Sequence, residues 1–261
     1  MDLMTPDNIK HGLYTRVLGK EIIYYTKTTS TNDMAIQLAE NGAEEGTLIV
    51  AEEQTSGKGR RGRSWLSPER SSILASLILH PDVDIKKAGI ITMISGIAIT
   101  KSIRDLVQLP AFIKWSNDVV INNRKVSGIL VEAKIEKKIK FVVAGIGVNV
   151  NTSKDQFPTE IREIATSLSI ESGRNLSRIY LLQEILKQFE YRYLRLKDND
   201  FSDEWKSLSN MMGSYIEINT SDGMISGTAM DVDDTGALMI RLDTGQIRRI
   251  VSGEVSSQMI L

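Results

Sequence analysis

The stretch from residue 54 to residue 65, Gln-Thr-Ser-Gly-Lys-Gly-Arg-Arg-Gly-Arg-Ser-Trp, carries the residue types best suited to chemistry in this chain. It contains three glycines and four cations: Gly57, Gly59, Gly62, Lys58, Arg60, Arg61 and Arg63. Glycines let a backbone approach a ligand closely, and the cations gather positive charge at the same place. The pattern predicts a loop that binds an anion. A solvated basic run, or one that binds nucleic acid without sequence preference, is the alternative that this stretch alone leaves open.

The surroundings of this stretch identify it as a loop rather than a tail. Apolar segments at residues 48–51 and 73–79 flank it, and both are typical of strands. The Walker pattern Gly-x-x-x-x-Gly-Lys-Ser/Thr is absent, and the glycines do not open a helix as in a dinucleotide-binding fold. The sequence therefore predicts an anion-binding loop of another kind.

The composition restricts the ligand and the location. There are 32 Lys and Arg against 33 Asp and Glu in 261 residues, so no overall field draws the chain to nucleic acid or to a membrane. The basic stretch is therefore local and suits a small anionic ligand. Cysteine is absent, and the two histidines, His11 and His80, lie outside any metal-ligand spacing, which argues against disulfides, a protein metal site and histidine base catalysis. Because neither a signal peptide nor an apolar run of about 18 residues is found, we expect a cytoplasmic protein.

Two further segments carry polar groups at positions suited to a ligand. Ser30, Thr31 and Asn32 precede apolar residues at helical spacing, so they lie at a helix start, either as a simple N-cap or as ligands for a polar head group. A predicted hairpin then places the amide of Asn117 and the carboxylate of Asp118 opposite the ammonium group of Lys125. That set could orient a nucleotide. The alternative is a surface ion pair between Asp118 and Lys125 that contributes about 0.2–1 kcal/mol.

The remaining pattern predicts two domains. Residues 21–25 and 140–146 are expected to form strands, and residues 85–106 and 178–197 amphipathic helices. After residue 212 short alternating runs are separated by turn residues, at 215–218, 225–232, 237–242 and 247–251. Such spacing predicts a small antiparallel barrel of about 50 residues. We place the domains at residues 1–211 and 212–261.

Taken together, the motifs resemble the biotin protein ligases, also called biotin–acetyl-CoA-carboxylase ligases. The resemblance runs through Ser-Thr-Asn at 30–32, the Gly-Lys-Gly-Arg-Arg-Gly-Arg loop, Lys-Trp-Ser-Asn-Asp at 114–118, Lys-x-x-Gly-Ile-Leu-Val-Glu at 125–132, and Gly-Ile-Gly-Val-Asn ending at Asn149. It implies an α+β fold in which a mixed β-sheet with flanking helices, of the class II aminoacyl-tRNA synthetase and biotin ligase type, precedes a small C-terminal SH3-like β-barrel. Lys58 stands where the family often has Arg, and Ser116 where it usually has Pro.

The resemblance also implies an activity and a set of site residues. The family joins biotin to ATP as biotinyl-5′-adenylate and then passes biotin to a lysine of a carrier domain. Biotin would contact Ser30, Thr31, Asn32, Gln54, Gly57, Lys58, Arg60, Trp65 and Lys125, and the nucleotide would contact Arg60, Arg61, Arg63, Trp65, Asn117 and Asn149. Lys125, Arg60 and Asp118 would carry the chemistry: Lys125 neutralises the meeting anions, and Asp118 orients the incoming lysine or accepts its proton.

Partners follow from the same resemblance. ATP would bring Mg²⁺ mainly through its phosphates, so no protein metal cage is expected. Biotin, ATP and a biotin carboxyl carrier domain are the expected partners, without nucleic acid or membrane, and a homodimer is left open. Family members that double as repressors carry an N-terminal winged helix, and because residues 1–20 are too short for one, we expect the monofunctional type.

Three other interpretations stay open at this point. A lipoate or octanoyl ligase shares the architecture and chemistry and differs mainly in the shape of its pocket. A nucleic-acid-binding module is disfavoured because one basic cluster with a single Trp on a neutral chain lacks interleaved aromatic residues. A degenerate adaptor without catalysis is disfavoured because the Lys, Asp and Asn positions are filled.

Overall fold

The computed structural model describes residues 3–197 and 200–256, which form two β-sheets. The larger sheet contains β1 (Ile22–Tyr25), β2 (Leu48–Ala51), β3 (Ser72–Leu79), β4 (Phe112–Lys114), β5 (Asp118–Ile121), β6 (Arg124–Ile135) and β7 (Ile139–Asn149). Its strand order is β1-β2-β3-β7-β6-β5-β4. Strands β1 and β2 pair in parallel and the other neighbours are antiparallel, which confirms the predicted mixed sheet.

Helices cover both faces of this sheet. In the described ranges they are α1 (Pro6–Lys10), α2 (Thr31–Glu40), α3 (Ile90–Val107), α4 (Leu168–Ser172), α5 (Arg178–Tyr193) and α6 (Ser202–Ser207). On one face, Ala35 and Ala39 of α2 pack in a small apolar cluster with Ile78 and Phe141. On the other face, α3 is buried on nearly every side and packs against α5 and β6. This second layer contains most of the core.

Two predicted helix boundaries were wrong. The helix expected from residue 85 begins at Ile90, because residues Ile85–Lys87 form a separate 3₁₀ turn and Gly89 stands before the first helical residue. The helix expected to reach residue 197 ends at Tyr193. In the described ranges no helix has the length and apolar character needed to span a membrane.

The N-terminal segment is attached to α5 through buried polar groups. The Glu190 carboxylate accepts the backbone N–H groups of Arg16, Val17 and Leu18 at 2.6, 2.7 and 2.9 Å. Gln183 Nε2 donates to the carbonyl oxygen of Ile9 at 2.8 Å. These bonds satisfy backbone groups that would otherwise be buried without partners.

A buried ion pair links α5 to the end of β2. The guanidinium of Arg178 donates to Glu52 Oε2 at 2.7 Å, and the two side chains are only 3% and 1% exposed. Glu52 Oε1 also accepts the N–H of Met4 at 2.8 Å. Each charge therefore has a partner in a place that water does not reach.

The smaller sheet is antiparallel throughout. It contains β8 (Tyr215–Thr220), β9 (Gly223–Val232), β10 (Leu238–Arg241), β11 (Ile247–Ile250) and β12 (Glu254–Val255). The order is β11-β10-β9-β8-β12. The four predicted runs thus correspond to β8 through β11. Barrel closure was also expected, but in the described residues the edge strands β11 and β12 do not pair with each other, so the structure shows an antiparallel sheet without closure.

The smaller sheet packs against the larger part of the chain near Trp115. Trp115 Nε1 donates to the carbonyl oxygen of Gly236 at 3.0 Å. Gly89 has no room for a side chain, because a Cβ there would lie 2.4 Å from the Thr235 carbonyl oxygen. This packing brings Glu254 of β12 next to the basic loop at residues 57–63.

Candidate active site

A cleft opens where the start of α2 meets the central strands of the larger sheet. It encloses about 460 Å³, including space open to solvent. Nine of the residues predicted from the sequence line it: Ser30, Thr31, Asn32, Gln54, Lys58, Arg60, Trp65, Asn117 and Lys125. Segments far apart in the sequence therefore converge on one cavity.

The first turn of α2 supplies polar groups to this cleft. The backbone N–H and the hydroxyl of Thr31 both donate to Gln54 Oε1, at 2.7 and 3.0 Å. Because the amide oxygen is held in this way, Gln54 Nε2 remains as a donor. Ser30 occupies the N-cap position with an extended backbone, but its hydroxyl makes no capping bond. Ser30 is therefore at the N-cap position, as one of the two interpretations expected, but its hydroxyl is not used to cap the helix.

Asn32 is bound within the protein by residues that the sequence interpretation missed. Ser76 Oγ donates to Asn32 Oδ1 at 2.7 Å, and Asn32 Nδ2 donates to Glu132 Oε2 at 2.7 Å and to the Leu130 carbonyl oxygen at 3.1 Å. Ser76 is fully buried in β3. A lone serine within an apolar strand was the signal that could have identified it. Asn32 thereby ties α2 to β3 and β6.

The indole of Trp65 lies across two glycines on adjacent strands. Gly128 and Gly147 are register partners in β6 and β7. A Cβ would lie 2.9 Å from Trp65 Cζ3 at Gly128 and 2.7 Å from Trp65 Cε2 at Gly147. At Gly145 a Cβ would lie 2.2 Å from Asn32 Oδ1. The side chains of Trp65 and Asn32 therefore fill the space in front of these glycines.

Lys125 and Asp118 form an ion pair at the edge of the cleft. Lys125 Nζ lies 2.7 Å from Asp118 Oδ1, and the side chains are 37% and 27% exposed. Lys125 N–H donates to the Ile164 carbonyl oxygen and Thr166 N–H to the Lys125 carbonyl oxygen, each at 2.8 Å. The Lys125 backbone is thus fixed from the side opposite Asp118. Its ammonium group lies 5.7 Å from the centre of a Trp65 ring, close enough for a cation–π contact.

Arg60 reaches across to the segment at residues 116–117. Its guanidinium donates to Asn117 Oδ1 at 3.1 Å and to the Ser116 hydroxyl, and Asn117 Nδ2 donates to the Ile129 carbonyl oxygen at 2.8 Å. Ser116, at a position where proline was expected, thus provides a hydroxyl for Arg60. The peptide bond between Trp115 and Ser116 is cis. Burial, and then the neighbouring Arg61, lower the pKa of Arg60.

The basic loop closes on itself and on the smaller sheet. Gly59 N–H donates to the Arg63 carbonyl oxygen at 2.7 Å, and a Cβ at Gly57 would lie 2.4 Å from the Trp65 carbonyl oxygen. Arg63 forms a two-pronged ion pair with Glu254. Burial alone would raise the pKa of Glu254, but the hydrogen bonds and charge of Arg63 lower it.

A second cleft lies between this loop and β12. It encloses about 660 Å³, again with space open to solvent. Three predicted residues, Asp118, Arg61 and Arg63, line this cleft rather than the first. Arg60, Trp65, Asn117 and Lys125 border both. Lys114, which sequence reasoning did not select, also lines the second cleft, and burial lowers its pKa.

Two other predicted site residues, Asn149 and Lys58, make contacts outside the groups described so far. Asn149 is buried at the end of β7, lines neither cleft, and donates from Nδ2 to the Thr166 carbonyl oxygen at 3.1 Å. Within the described residues its Oδ1 has no hydrogen-bond partner. Lys58 pairs with Asp33 of α2 at 2.5 Å. In the same part of the chain, no three His, Cys, Asp or Glu residues are grouped to hold a metal.

Comparison with known proteins identifies the class of protein that the sequence motifs resemble. The family model described as the Biotin/lipoate A/B protein ligase family matches residues 23–149, and the one described as the Biotin protein ligase C terminal domain matches residues 212–257. The chain is 38% identical to the bifunctional ligase/repressor BirA of Bacillus spizizenii over 97% of this chain and 78% of that protein. It is 29% identical to the biotin–acetyl-CoA-carboxylase ligase of Mycobacterium tuberculosis over 96% of each.

A solved structure is similar over most of the chain. The biotin protein ligase from Aquifex aeolicus in complex with biotin and ATP superimposes with a TM-score of 0.77 at 29% identity, covering 91% of this chain and 98% of that one. A mixed sheet bearing this basic loop, with the antiparallel sheet beside it, defines a protein ligase of the biotin/lipoate type. The chain belongs to the biotin protein ligase family, and it is an enzyme of the ligase class.

Proposed function

We propose that this chain joins biotin to ATP as biotinyl-5′-adenylate and then transfers the biotinyl group to a lysine of a biotin carboxyl carrier domain. The observation that carries the proposal is one cleft in which the polar groups of Thr31 and Gln54, the indole of Trp65, and the cations Arg60 and Lys125 converge. A neutral polar ring, an apolar body and an anionic end are the three parts of biotin that such a lining matches. The M. tuberculosis and A. aeolicus relatives, whose names state biotin, support the same substrate.

Recognition of the ureido ring is assigned to the start of α2 and its partner. Gln54 Nε2 is left as a donor because its oxygen is held by Thr31, and the Ser30 hydroxyl is not used by the helix. Both suit a ring that offers one carbonyl and two N–H groups. Asn32 acts here by positioning, since both ends of its amide are bound within the protein. Gly57 and Lys58 complete the surrounding loop.

Activation requires two anions to meet. A carboxylate oxygen of biotin attacks the α-phosphorus of ATP, the bond to the bridging oxygen breaks, and pyrophosphate leaves with that electron pair. Lys125 and Arg60 border both clefts, so they lie where the carboxylate and the α-phosphate come together. Fixed cations there lower the cost of bringing the anions into contact. Trp65 lies against Gly128 and Gly147 and lines both clefts.

Nucleotide contacts are assigned to residues that border the second cleft and the adjoining strand end. Asn117 is fixed by Arg60 and by the Ile129 carbonyl oxygen, which orients its amide. Arg61 and Arg63 supply charge near the phosphates. The unsatisfied Oδ1 of Asn149 supports a role on the nucleotide side, although this residue lines neither cleft.

Transfer uses the same site a second time. The amine of the carrier lysine attacks the acyl carbon of biotinyl-5′-adenylate, and AMP leaves as the amide forms. Asp118 lies on the second cleft beside Lys125 and has a carboxylate available to orient the amine and take its proton.

We assign Mg²⁺ to the phosphates of ATP rather than to the protein. The carboxylates of the second cleft are Asp118 and Glu254, and each is already paired with a cation. These two groups do not amount to a hexacoordinate oxygen site. No step above depends on the ion.

We further propose the division into a catalytic domain at residues 1–211 and an SH3-like barrel domain at residues 212–261. The family match at residues 212–257 supports the second unit, and residues 257–261 lie outside the described part. Whether the chain forms a homodimer is a separate question that sedimentation answers.

The experiment is ATP–pyrophosphate exchange with biotin, lipoate or no acid present. Exchange that depends on biotin, and labelling of a single lysine on a carrier domain, are the expected results. Lipoate should support little exchange, because its dithiolane ring offers no hydrogen-bond partner to Gln54 and Thr31. Equal exchange with lipoate would contradict the biotin assignment and favour the lipoate ligase interpretation. Exchange without carrier labelling would contradict the transfer step alone.

A further inference from the structure

Strand β6 has a β-bulge directly after Lys125. Val119 of β5 pairs with Ser127, but the next residue, Val120, pairs with Lys125, so Val126 is an extra residue in β6. A bulge interrupts the ladder locally and redirects a neighbouring side chain. The direction of the Lys125 side chain therefore depends on what holds the backbone at this bulge.

The segment at residues 164–166 holds that backbone. It forms a parallel bridge with Lys125, in which the Lys125 N–H donates to the Ile164 carbonyl oxygen and the Thr166 N–H donates to the Lys125 carbonyl oxygen, each at 2.8 Å. The Thr166 carbonyl oxygen also accepts Asn149 Nδ2 at 3.1 Å. One short segment thus contacts two residues that the proposed function assigns to the site.

The carboxylate of Glu171 fixes this segment from behind. Glu171 belongs to α4, and its side chain is only 4% exposed. Its Oε1 accepts the guanidinium of Arg124 at 2.7 Å and the hydroxyl of Thr166, and its Oε2 accepts Asn122 Nδ2 at 2.8 Å. Arg124 precedes Lys125 in β6. The same carboxylate is therefore bonded to both sides of the contact between the segment and Lys125.

Helix α4 holds Glu171 in place because it is attached to the chain that follows β7. The Ser169 N–H donates to the Val150 carbonyl oxygen at 2.8 Å, and the Ser167 hydroxyl donates to the Thr152 carbonyl oxygen at 2.6 Å. Ser167 is also the N-cap residue of α4. The position of the Glu171 carboxylate is thus set by buried contacts rather than by an exposed loop.

We propose that Glu171 is a positioning residue that acts through Thr166: it holds the segment at residues 164–166 against the backbone of Lys125. The proposal rests on the proposed function, which places the Lys125 ammonium group where the carboxylate of biotin and the α-phosphate meet. The same segment orients the amide of Asn149 on the nucleotide side. Glu171 itself lines neither cleft. Its effect on the reaction comes from geometry, since displacing a reacting group by about 1 Å can cost 100-fold in rate.

Thr166→Val tests the link without disturbing the buried ion pair between Glu171 and Arg124. Valine keeps the shape of threonine but lacks the hydroxyl that donates to Glu171. Single-turnover formation of biotinyl-5′-adenylate should slow by about 10- to 100-fold, and the KM for ATP should rise. The Kd for biotin without ATP should stay close to the wild-type value, because the segment does not line the first cleft.

Three further variants complete the comparison. Thr166→Ser keeps the hydroxyl and should restore the rate. Glu171→Gln keeps the size of the side chain but turns one acceptor oxygen into an amino group, so it should slow adenylate formation as Thr166→Val does. Glu163→Gln removes an exposed carboxylate beside the segment and is the matched control with an unchanged rate.

Amide hydrogen exchange gives a measurement that does not depend on activity. In Thr166→Val the N–H groups of Lys125 and Thr166 should exchange faster than in wild type, because the bonds that protect them open more often. Normal adenylate formation in both Thr166→Val and Glu171→Gln overturns the proposal. So does a loss of biotin affinity as large as the loss of rate, because it shows general damage to the fold. A wild-type enzyme without biotin-dependent pyrophosphate exchange contradicts the proposed function instead, and hydrogen exchange then decides the positioning role.

Discussion

The ammonium group of Lys125 lies 2.7 Å from the carboxylate of Asp118, so the two groups assigned to successive steps neutralise each other before substrate binds. Asp118 is the first residue of β5 and Lys125 is the second residue of β6, and the pairing of these two strands brings the side chains together. The proposed function implies that anionic substrates bound to Lys125 would take part of this partner from Asp118 and leave its carboxylate available to an incoming amine.

Asp118→Asn should therefore separate the two half-reactions. Adenylate formation in a single turnover should stay within a few-fold of wild type, because the amide preserves shape and leaves Lys125 charged. Transfer to the carrier should slow by about 10²–10⁴-fold, the usual contribution of a positioned general base. Rapid-quench measurement from pre-formed adenylate gives the transfer rate. A variant that transfers normally would remove Asp118 from this role.

Lys125→Met should impair the first step most. Its charge acts where carboxylate and phosphate meet, and loss of such a contact commonly costs about 2.7–4 kcal/mol in the transition state. Biotin binding, measured by calorimetry without ATP, should weaken much less. Lys140→Met controls for general loss of charge. Normal single-turnover adenylation in Lys125→Met would show that this ammonium group has no part in activation.

Arg60→Gly should release biotinyl-5′-adenylate early. Arg60 holds the loop to Asn117 and Ser116, so its removal opens the cover over the adenylate while leaving the biotin pocket in place. We expect labelling of lysines on an unrelated protein mixed with enzyme, biotin and ATP, detected by blotting for biotin. Bystander labelling no greater than with wild type, together with normal adenylate retention, would contradict loop closure.

Arg63→Gly offers the contrast within the same loop. The Arg63–Glu254 pair is exposed, at 66% and 41%, and such pairs contribute about 0.2–1 kcal/mol. Arg63→Gly and Glu254→Gln should each increase bystander labelling less than Arg60→Gly does. The double variant should add little to either single change, because both remove the same contact. Additive effects would mean that the two residues act separately.

Gly147→Ala should weaken biotin binding by displacing Trp65. The added methyl group would lie 2.7 Å from the indole, so the ring must move. We expect the Kd for biotin to rise roughly tenfold, about 1.4 kcal/mol, in calorimetric titration. Gly96→Ala in α3 is the control, because its methyl group would meet Ile113 at an ordinary 3.5 Å. Equal affinities in both variants would show that Trp65 does not shape the pocket.

Arg178→Met should lower stability rather than catalysis. It leaves the Glu52 carboxylate buried without its cation, and breaking such a pair costs about 3–5 kcal/mol in the free energy of unfolding. Lys197→Met, in the exposed pair with Asp82, should change it by less than about 1 kcal/mol. Urea titration of both variants measures the difference. Similar midpoints would mean that water reaches Glu52.

The sequence predicted the elements of the larger sheet and the residues that meet at the cleft, because both leave local signals. Strand patterns and glycine-rich loops are read from neighbouring residues, and the family motifs fix which polar groups converge. Contacts made across long distances in the chain left no such signal. Ser76 reaches Asn32 of α2 from β3, and Lys114 lines the second cleft only because β12 packs beside it. The packing of Trp65 against Gly147 left no local signal either, since the two residues lie far apart in sequence.

The attachment of the N-terminal segment to α5 also sets an order of events during synthesis. The bonds from Glu190 to Arg16, Val17 and Leu18 join residues 174, 173 and 172 positions apart. The ribosome therefore releases residues 16–18 long before it releases the helix that binds them, and closing so long a loop is an intrinsically slow event. Nascent chains that stop before α5 leave this segment open to protease. The segment at residues 16–18 thus acquires its bonds to Glu190 only after α5 has been made.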